Sequence, residues 1–322
     1  MRVLITGASG FAGSWLCRQC AEAGDEVVGL SRRGLVPDGC GRGVAVDLRD
    51  TDAVRAAVRD AAPELVYHLA SLTSVGRSWQ APAQTLGDND AITVGMLEAL
   101  RHLAGGVPVV WVSSCEVYGS PEQLPATEAQ PMRPANPYAV SKAAGEMLAE
   151  VYTQAYSLEF VCARPFSHSG PGQQPTFLLS SLASQAAAGR RAGVPRLDIV
   201  TGNPDTRRDF TDVRDVVRAY RLLAQALVSG KPGAAGGVFN VSTGRSVSAG
   251  EQVALLAELL APIEVHHTVD PTRVRASEVM DLRGDPAKLR ALTGWEPKVP
   301  LRQTMADTIE WWERDQERNA AA

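Results

Sequence analysis

The chain has 322 residues, 45% hydrophobic and 21% charged, enough to bury one large core or a main domain with a smaller dependent one. Its formal charge of -4 excludes a general nucleic-acid binder, while local basic sites for an anionic ligand stay open. No run of 18 apolar residues occurs and Met1–Ile5 is already strand-like with no basic leader, so no membrane span or signal segment is expected, and a cytoplasmic protein is.

In chain order, "MRVLITG" predicts a strand, "GASGFAG" a glycine turn and "SWLCRQCAEAG" a helix. "DEVVGLSR" predicts a second strand ending near Leu30, and "GVAVDLRD" a third that ends on Asp47 and Leu48. "DAVRAAVRDAA" reads as a helix, "PELVYHLA" as a fourth strand, "ITVGMLEALRHLA" as a helix and "VPVVWVSS" as an almost continuously apolar strand. "PYAVSKAAGEMLAEVYTQAYS" and "LEFVCARPF" continue the alternation as helix and strand. Apolar strands alternating with helices require a parallel sheet covered on both faces, an α/β fold.

After Pro165 the rhythm changes. "SHSGPGQQP" reads as loop, "FLLSSLASQAAAG" as helix, "RLDIVTG" as strand, "DVRDVVRAYRLLAQAL" as helix and "GGVFNVST" as strand. In "SAGEQVALLAELL", Glu251 follows Ser248 by three residues, a capping-box start, and the tail holds two more helical patterns around a Gly/Pro turn. These later elements are too short for an independent sheet domain. The expected division is a core over 1–165 with 205–245 returning to it, a smaller α/β substrate-binding lobe from 166–204 and 246–316, and a frayed tail at 317–322.

Cysteines at 17, 20, 40, 115 and 162 make neither a disulfide framework nor a metal set. Cys17 and Cys20 form a CxxC within one amphipathic helix and are read as reduced helix residues. The five histidines are scattered, and no metal is expected.

Between the first strand and first helix lies Gly7-Ala8-Ser9-Gly10-Phe11-Ala12-Gly13. Gly7 permits a tight turn, Gly10 a close backbone approach to a pyrophosphate, and Gly13 close helix packing, while the amino end of the helix offers unpaired amides to phosphates. In this place the pattern points to a dinucleotide in a Rossmann-type, doubly wound sheet. Where an NAD enzyme carries an acid for the ribose hydroxyls, this chain has Ser31, Arg32 and Arg33, so NADPH is favoured and NADH stays possible. Asp47 and Leu48 are candidates for the adenine edge. Leu69, Ala70 and Ser71 would run beside the pyrophosphate and nicotinamide ribose, with His68 structural.

Tyr138 and Lys142 are four apart on a helix and share a face. The lysine charge is expected to favour phenolate and lower the tyrosine pKa, allowing proton exchange near neutral pH. "WVSSCEVYG" sets Ser113 and Ser114 at the carboxyl end of an apolar strand, where a hydroxyl can hydrogen-bond the same substrate oxygen.

With "TGASGFAG", "HLAS", "SSCEVYG" and "YAVSK", the chain resembles an extended short-chain dehydrogenase/reductase of the nucleotide-sugar-modifying group over nearly its whole length. The resemblance implies Ser114 as catalytic hydroxyl, Tyr138 as acid/base, Lys142 as its partner and ribose contact, Asn89 as a residue ordering the centre, and Pro165 beside the cofactor. "GNPDTRRDFTDVRDVVRAY" and the segment from Val274 to Met305 most resemble GDP-4-keto-6-deoxy-D-mannose reductases, which implies that Arg208 and Arg275 contact the nucleotide diphosphate and that Ser74 and Val75 border the hexose. Ser167 stands where that group has an asparagine that helps position the nucleotide sugar, which leaves the sugar and base open, while Ala276, in the place of a proline, mainly relaxes the loop. Glu116 occupies the place of the dehydratase carboxylate, which related reductases also retain and which leaves dehydration open, while "RDFTDVRDVVRAY" looks more reductase-like. Reduction to GDP-D-rhamnose is therefore expected, with 4,6-dehydration and 4-epimerisation as alternatives, and a non-catalytic cofactor-binding regulator as a reading of a different class. A homodimer is also implied, as is a GDP-linked sugar as partner.

Overall fold

The computed structural model describes residues 1–103, 106–274 and 279–321. The first elements are β1 (Arg2–Thr6), α1 (Phe11–Glu22), β2 (Glu26–Ser31), β3 (Arg42–Ala45), α2 (Thr51–Ala61) and β4 (Leu65–His68). Then come α3 (Val75–Gln80), α4 (Pro82–Arg101), β5 (Val109–Val112), α5 (Pro137–Tyr156), β6 (Phe160–Pro165), β7 (Ser167–Ser169), α6 (Leu178–Ala192), β8 (Arg196–Thr201), β9 (Arg207–Arg208), β10 (Phe210–Asp212) and α7 (Val213–Val228). The chain closes with β11 (Val238–Val241), β12 (Val247–Ser248), α8 (Ala249–Leu260), β13 (Glu264–Val269), β14 (Asp281–Leu282), α9 (Ala287–Thr293) and α10 (Leu301–Ala321).

Seven strands form one parallel sheet in the order β11-β6-β5-β4-β1-β2-β3. Every residue of β4 and β5 is buried, as strands covered on both faces require, and β5 is apolar throughout. On one face α1 and α7 pack Leu16, Cys17, Val216, Tyr220 and Leu223 against the sheet. The other face is closed by α2 and α4 through Val54, Val58, Met96, Leu97 and Leu100. This is the doubly wound α/β fold expected from the sequence. The strand order reverses between β1 and β4, so the loops after those two strands border a crevice at the carboxyl end of the sheet.

Later strands make three small sheets, β10-β7, β12-β9-β14 and β13-β8. A separate apolar cluster of Leu182, Ile199, Leu256, Met305 and Ile309 holds α6, β8, α8 and α10 together. Burial of each such side chain contributes about 1.5–3 kcal/mol of transfer free energy. Helix ends follow local chemistry. Ser248 and Glu251 form the expected capping box on α8, and Gly294, at φ 70°, ends α9 in the left-handed region.

Four local expectations are corrected. Ser167–Ser169, read as loop, is a strand, because its backbone pairs with Phe210–Asp212. A further helix, α3, precedes α4, which begins at Pro82 rather than near Ile92. The third strand stops at Ala45, short of Asp47 and Leu48. Helix α10 runs on to Ala321, through the stretch expected to fray. Burial pushes the Cys17 and Cys20 thiols up to about 12, so both are protonated core residues. No helix among the described residues is long and apolar enough to cross a membrane.

Candidate active site

Gly7, at φ 70°, turns the chain out of β1, and its amide donates to Leu30 O across 2.9 Å. A Cβ on Gly13 would lie 2.1 Å from Gly7 O, so only glycine lets α1 approach the loop this closely. Gly10 is the N-cap of α1 and no side chain caps the helix, which leaves its first amides, from Phe11, Ala12 and Gly13, for an anion beside exposed Ser9. The cradle therefore fits a dinucleotide pyrophosphate.

Thr6, which sequence reasoning did not single out, organises the opposite wall. Its hydroxyl accepts the Leu69 and Ala70 amides at 3.1 Å each and lies 3.0 Å from His68 Nδ1. Two donors already occupy the oxygen, so its own hydrogen points to Nδ1, which accepts. Burial, helped by the charge of Lys142, brings the His68 pKa down to about 3, and the neutral ring packs on Trp111 at 4.4 Å. His68 is thus structural, as expected. Ser71 Oγ is buried without a hydrogen-bond partner among the described residues and borders a small cavity with Asn89, Thr93, Ser141 and Lys142.

At the end of β2 the Ser31 hydroxyl accepts Leu35 N at 3.0 Å and closes a turn. Ser31 is thereby spent on the turn, while Arg32 and Arg33 stand exposed with no hydrogen-bond or ion-pair partner among the described residues. The adenine-edge expectation fares differently. Asp47 is engaged by Arg49 at 2.6 Å, which brings its carboxyl down to about 2, and Leu48 is buried in the cluster under α2 and α4.

The reacting centre assembles where β5 ends. Ser114 caps the short turn Cys115–Tyr118 by accepting Glu116 N at 3.2 Å, and Ser113 sits behind it with its hydroxyl buried. Asn136 caps α5, with Pro137 next, so the first turn of α5 brings buried Tyr138 against Ser114. Lys142 lies one turn on, its Nζ 6.0 Å from the Tyr138 ring centre.

One electrostatic expectation is overturned. Burial drives the Tyr138 pKa well above its ordinary value, and the hydrogen bond with Ser114 only partly offsets this. Lys142 Nζ instead donates to Val112 O at 2.9 Å, and burial brings its pKa down to about 8. The phenol is consequently protonated at neutral pH.

Asn89 serves the protein itself. Its Oδ1 accepts Leu72 N at 2.7 Å and its Nδ2 donates to Leu72 O at 3.2 Å and Ser141 Oγ at 2.9 Å, while Ser141 donates to Tyr138 O at 2.8 Å. The loop after β4 is so fastened to α5 beside Tyr138. Glu116 Oε2 accepts Asn136 Nδ2 at 2.8 Å. Asn136 was missed, although an asparagine directly before Pro137 is an N-cap signal.

The expected substrate residues are more dispersed. Ser74 caps α3 by accepting Arg77 N at 3.2 Å, and Val75 is the first residue of that helix, half-buried. Pro165 is buried at the end of β6, and half-buried Ser167 lies on β7 opposite Phe210. Phe11 in the cofactor cradle stacks on His168 with ring centres 6.0 Å apart. Arg208 is half-buried and donates to Arg207 O at 2.8 Å and Val279 O at 2.7 Å, and its charge bears on Cys115 next to Ser114. Arg275 lies outside the described residues.

Comparison with known proteins places the chain in a family. The family described as GDP-mannose 4,6 dehydratase matches residues 4–308. GDP-6-deoxy-D-mannose reductase of Pseudomonas aeruginosa is 35% identical over 318 residues, 97% of each chain. UDP-glucose 4-epimerase of Mycolicibacterium smegmatis is 33% identical, covering 97% of this chain and 98% of its own. The structure of RMD from Pseudomonas aeruginosa complexed with NADPH superposes with a TM-score of 0.83 at 33% identity, covering 98% of this chain and 100% of that one. The chain thus belongs to the GDP-mannose 4,6-dehydratase family of short-chain dehydrogenases/reductases.

Proposed function

We propose that the protein reduces the C4 ketone of GDP-4-keto-6-deoxy-D-mannose, with NADPH, to GDP-D-rhamnose. The observation that carries this reading is geometric: buried Tyr138 and Ser114 meet where β5 gives way to α5, with Lys142 one turn along the helix. A phenol and a hydroxyl so placed can hold a C4 oxygen and pass a proton to it, as reduction of a ketone requires. Similarity to the Pseudomonas aeruginosa reductase supports the same direction.

Bound NADPH supplies the hydride for the C4 carbon. Tyr138 gives its proton to the C4 oxygen, and Ser114 hydrogen-bonds the negative charge that develops there. Lys142, held at 2.9 Å from Val112 O, keeps a positive charge beside the phenol as it ionises. Arg32 and Arg33 take the 2'-phosphate of NADPH, and NADH remains a weaker partner. Ser167 and Arg208 face the nucleotide sugar.

A second reading, 4,6-dehydration with Glu116 as base at C5, is favoured by the carboxylate at the centre, and the epimerase relative keeps 4-epimerisation open. Incubating the protein with GDP-4-keto-6-deoxy-D-mannose and NADPH or NADH separates these. Stoichiometric loss of NADPH with formation of a 6-deoxyhexose supports reduction. No loss with either cofactor, together with turnover of GDP-mannose, supports dehydration.

The homodimer belongs to the same proposal. Val140, Met147 and Val151 are exposed at 43%, 59% and 55% along one face of α5, with Val94 of α4 at 38%, and a second copy of the pair would cover them. Light scattering on Val151→Glu would give a monomer. A monomeric wild type would contradict it.

A further inference from the structure

Asn136 uses both ends of one amide. Its Oδ1 accepts Ala139 N at 2.8 Å and starts the helix that carries Tyr138 and Lys142, while its Nδ2 donates to Glu116 Oε2 at 2.8 Å. Among capping side chains, Ser, Thr and Asp provide the acceptor, but only Asn adds an NH2 group of that reach. From its other side the Glu116 amide is held by Ser114 Oγ at 3.2 Å, so backbone and carboxylate are both fixed. Glu116 Oε1 receives no donor among the described residues. Asn136 itself is buried, so an unmatched amide there would carry a desolvation cost.

We propose that Asn136 is a positioning residue that clasps Glu116 to the first turn of α5, holding its free oxygen at a set distance from Tyr138 and Ser114. The clasp rests on the reduction proposed above in one respect: Glu116 Oε1 then serves as acceptor for the hexose hydroxyl beside the C4 ketone. Without the clasp the carboxylate swings from the reacting carbon, and turnover falls while the remote cofactor site is untouched.

The test separates the two ends of the amide. Asn136→Ser and Asn136→Asp both keep a helix cap and both lose the donor, Asp also setting a second carboxylate against Glu116. Losing a hydrogen bond to a charged group predicts a fall in kcat of about ten- to hundredfold in either, larger for Asp, with the KM for NADPH unchanged. Thermal midpoints stay within about 3 °C of wild type because the cap remains. In a Glu116→Ala background the Asn136→Ser change has little further effect on kcat, since the carboxylate it positions is gone. Wild-type kcat in both single variants, or an equal loss in the Glu116→Ala background, overturns the proposal. If the wild type does not reduce the keto sugar, the reading of function fails. Crystal structures of wild type and Asn136→Ser then decide the clasp alone, by whether the Glu116 carboxylate leaves its place.

Discussion

Acidification probes the wall built by Thr6 and His68. His68 keeps its proton-free form down to about pH 3 because burial, with the Lys142 charge behind it, opposes the imidazolium. In the unfolded chain the same ring takes a proton near 6.5. A base whose folded pKa is depressed stabilises the fold fully at pH well above 6.5, and that contribution is lost as pH falls from about 6.5 toward 3. The free energy lost is about 0.2 kcal/mol at pH 7 and about 2 kcal/mol at pH 5, at roughly 1.4 kcal/mol per decade of proton concentration. Urea denaturation at both pH values, for wild type and His68→Gln, isolates this contribution. Each protein is compared with its own value at pH 7, so the intrinsic cost of the substitution cancels, and other groups such as the buried His168 are common to both. Wild type is expected to lose about 2 kcal/mol more than the variant between pH 7 and pH 5. Equal losses would show that His68 takes up a proton in the folded state and would refute the reasoning.

Glu146 and Arg164 form a buried pair at 2.6 Å, with both side chains under a tenth exposed, that joins α5 to β6. Glu146→Gln leaves an uncompensated guanidinium and should cost about 3–5 kcal/mol in urea denaturation, and a loss under about 1 kcal/mol would contradict this. For Gly13→Ala, a methyl 2.1 Å from Gly7 O must push α1 off the loop. NADPH binding by calorimetry should then weaken at least about hundredfold. Replacing Arg32 and Arg33 together with alanine should weaken NADPH binding about ten- to hundredfold and leave NADH unchanged, and equal effects on both cofactors would remove their role at the 2'-phosphate.

Much of the architecture was legible in the sequence because it rests on local signals. Unbroken apolar runs such as "VVWV" mark strands buried on both faces, and Glu251 three residues after Ser248 marks the start of α8. Pairings between distant segments were harder. Ser167–Ser169 is a strand only because Phe210–Asp212 comes beside it, and neither segment has enough length to show a period. The run "GVAVDLRD" suggests a strand ending on Asp47 and Leu48, yet the strand stops at Ala45 and Leu48 is buried in the core. Spacing put Tyr138 and Lys142 on one face correctly. Spacing says nothing of burial, and it is burial that raises the Tyr138 pKa where the lysine was expected to lower it.

Transfer of deuterium from nicotinamide-labelled NADPH tests the central claim most directly. With GDP-4-keto-6-deoxy-D-mannose as substrate, the account predicts one deuterium at C4 of the product for each NADPH oxidised, and loss of that transfer in Tyr138→Phe. Deuterium at C6, or a labelled sugar formed with no net oxidation of NADPH, would contradict it.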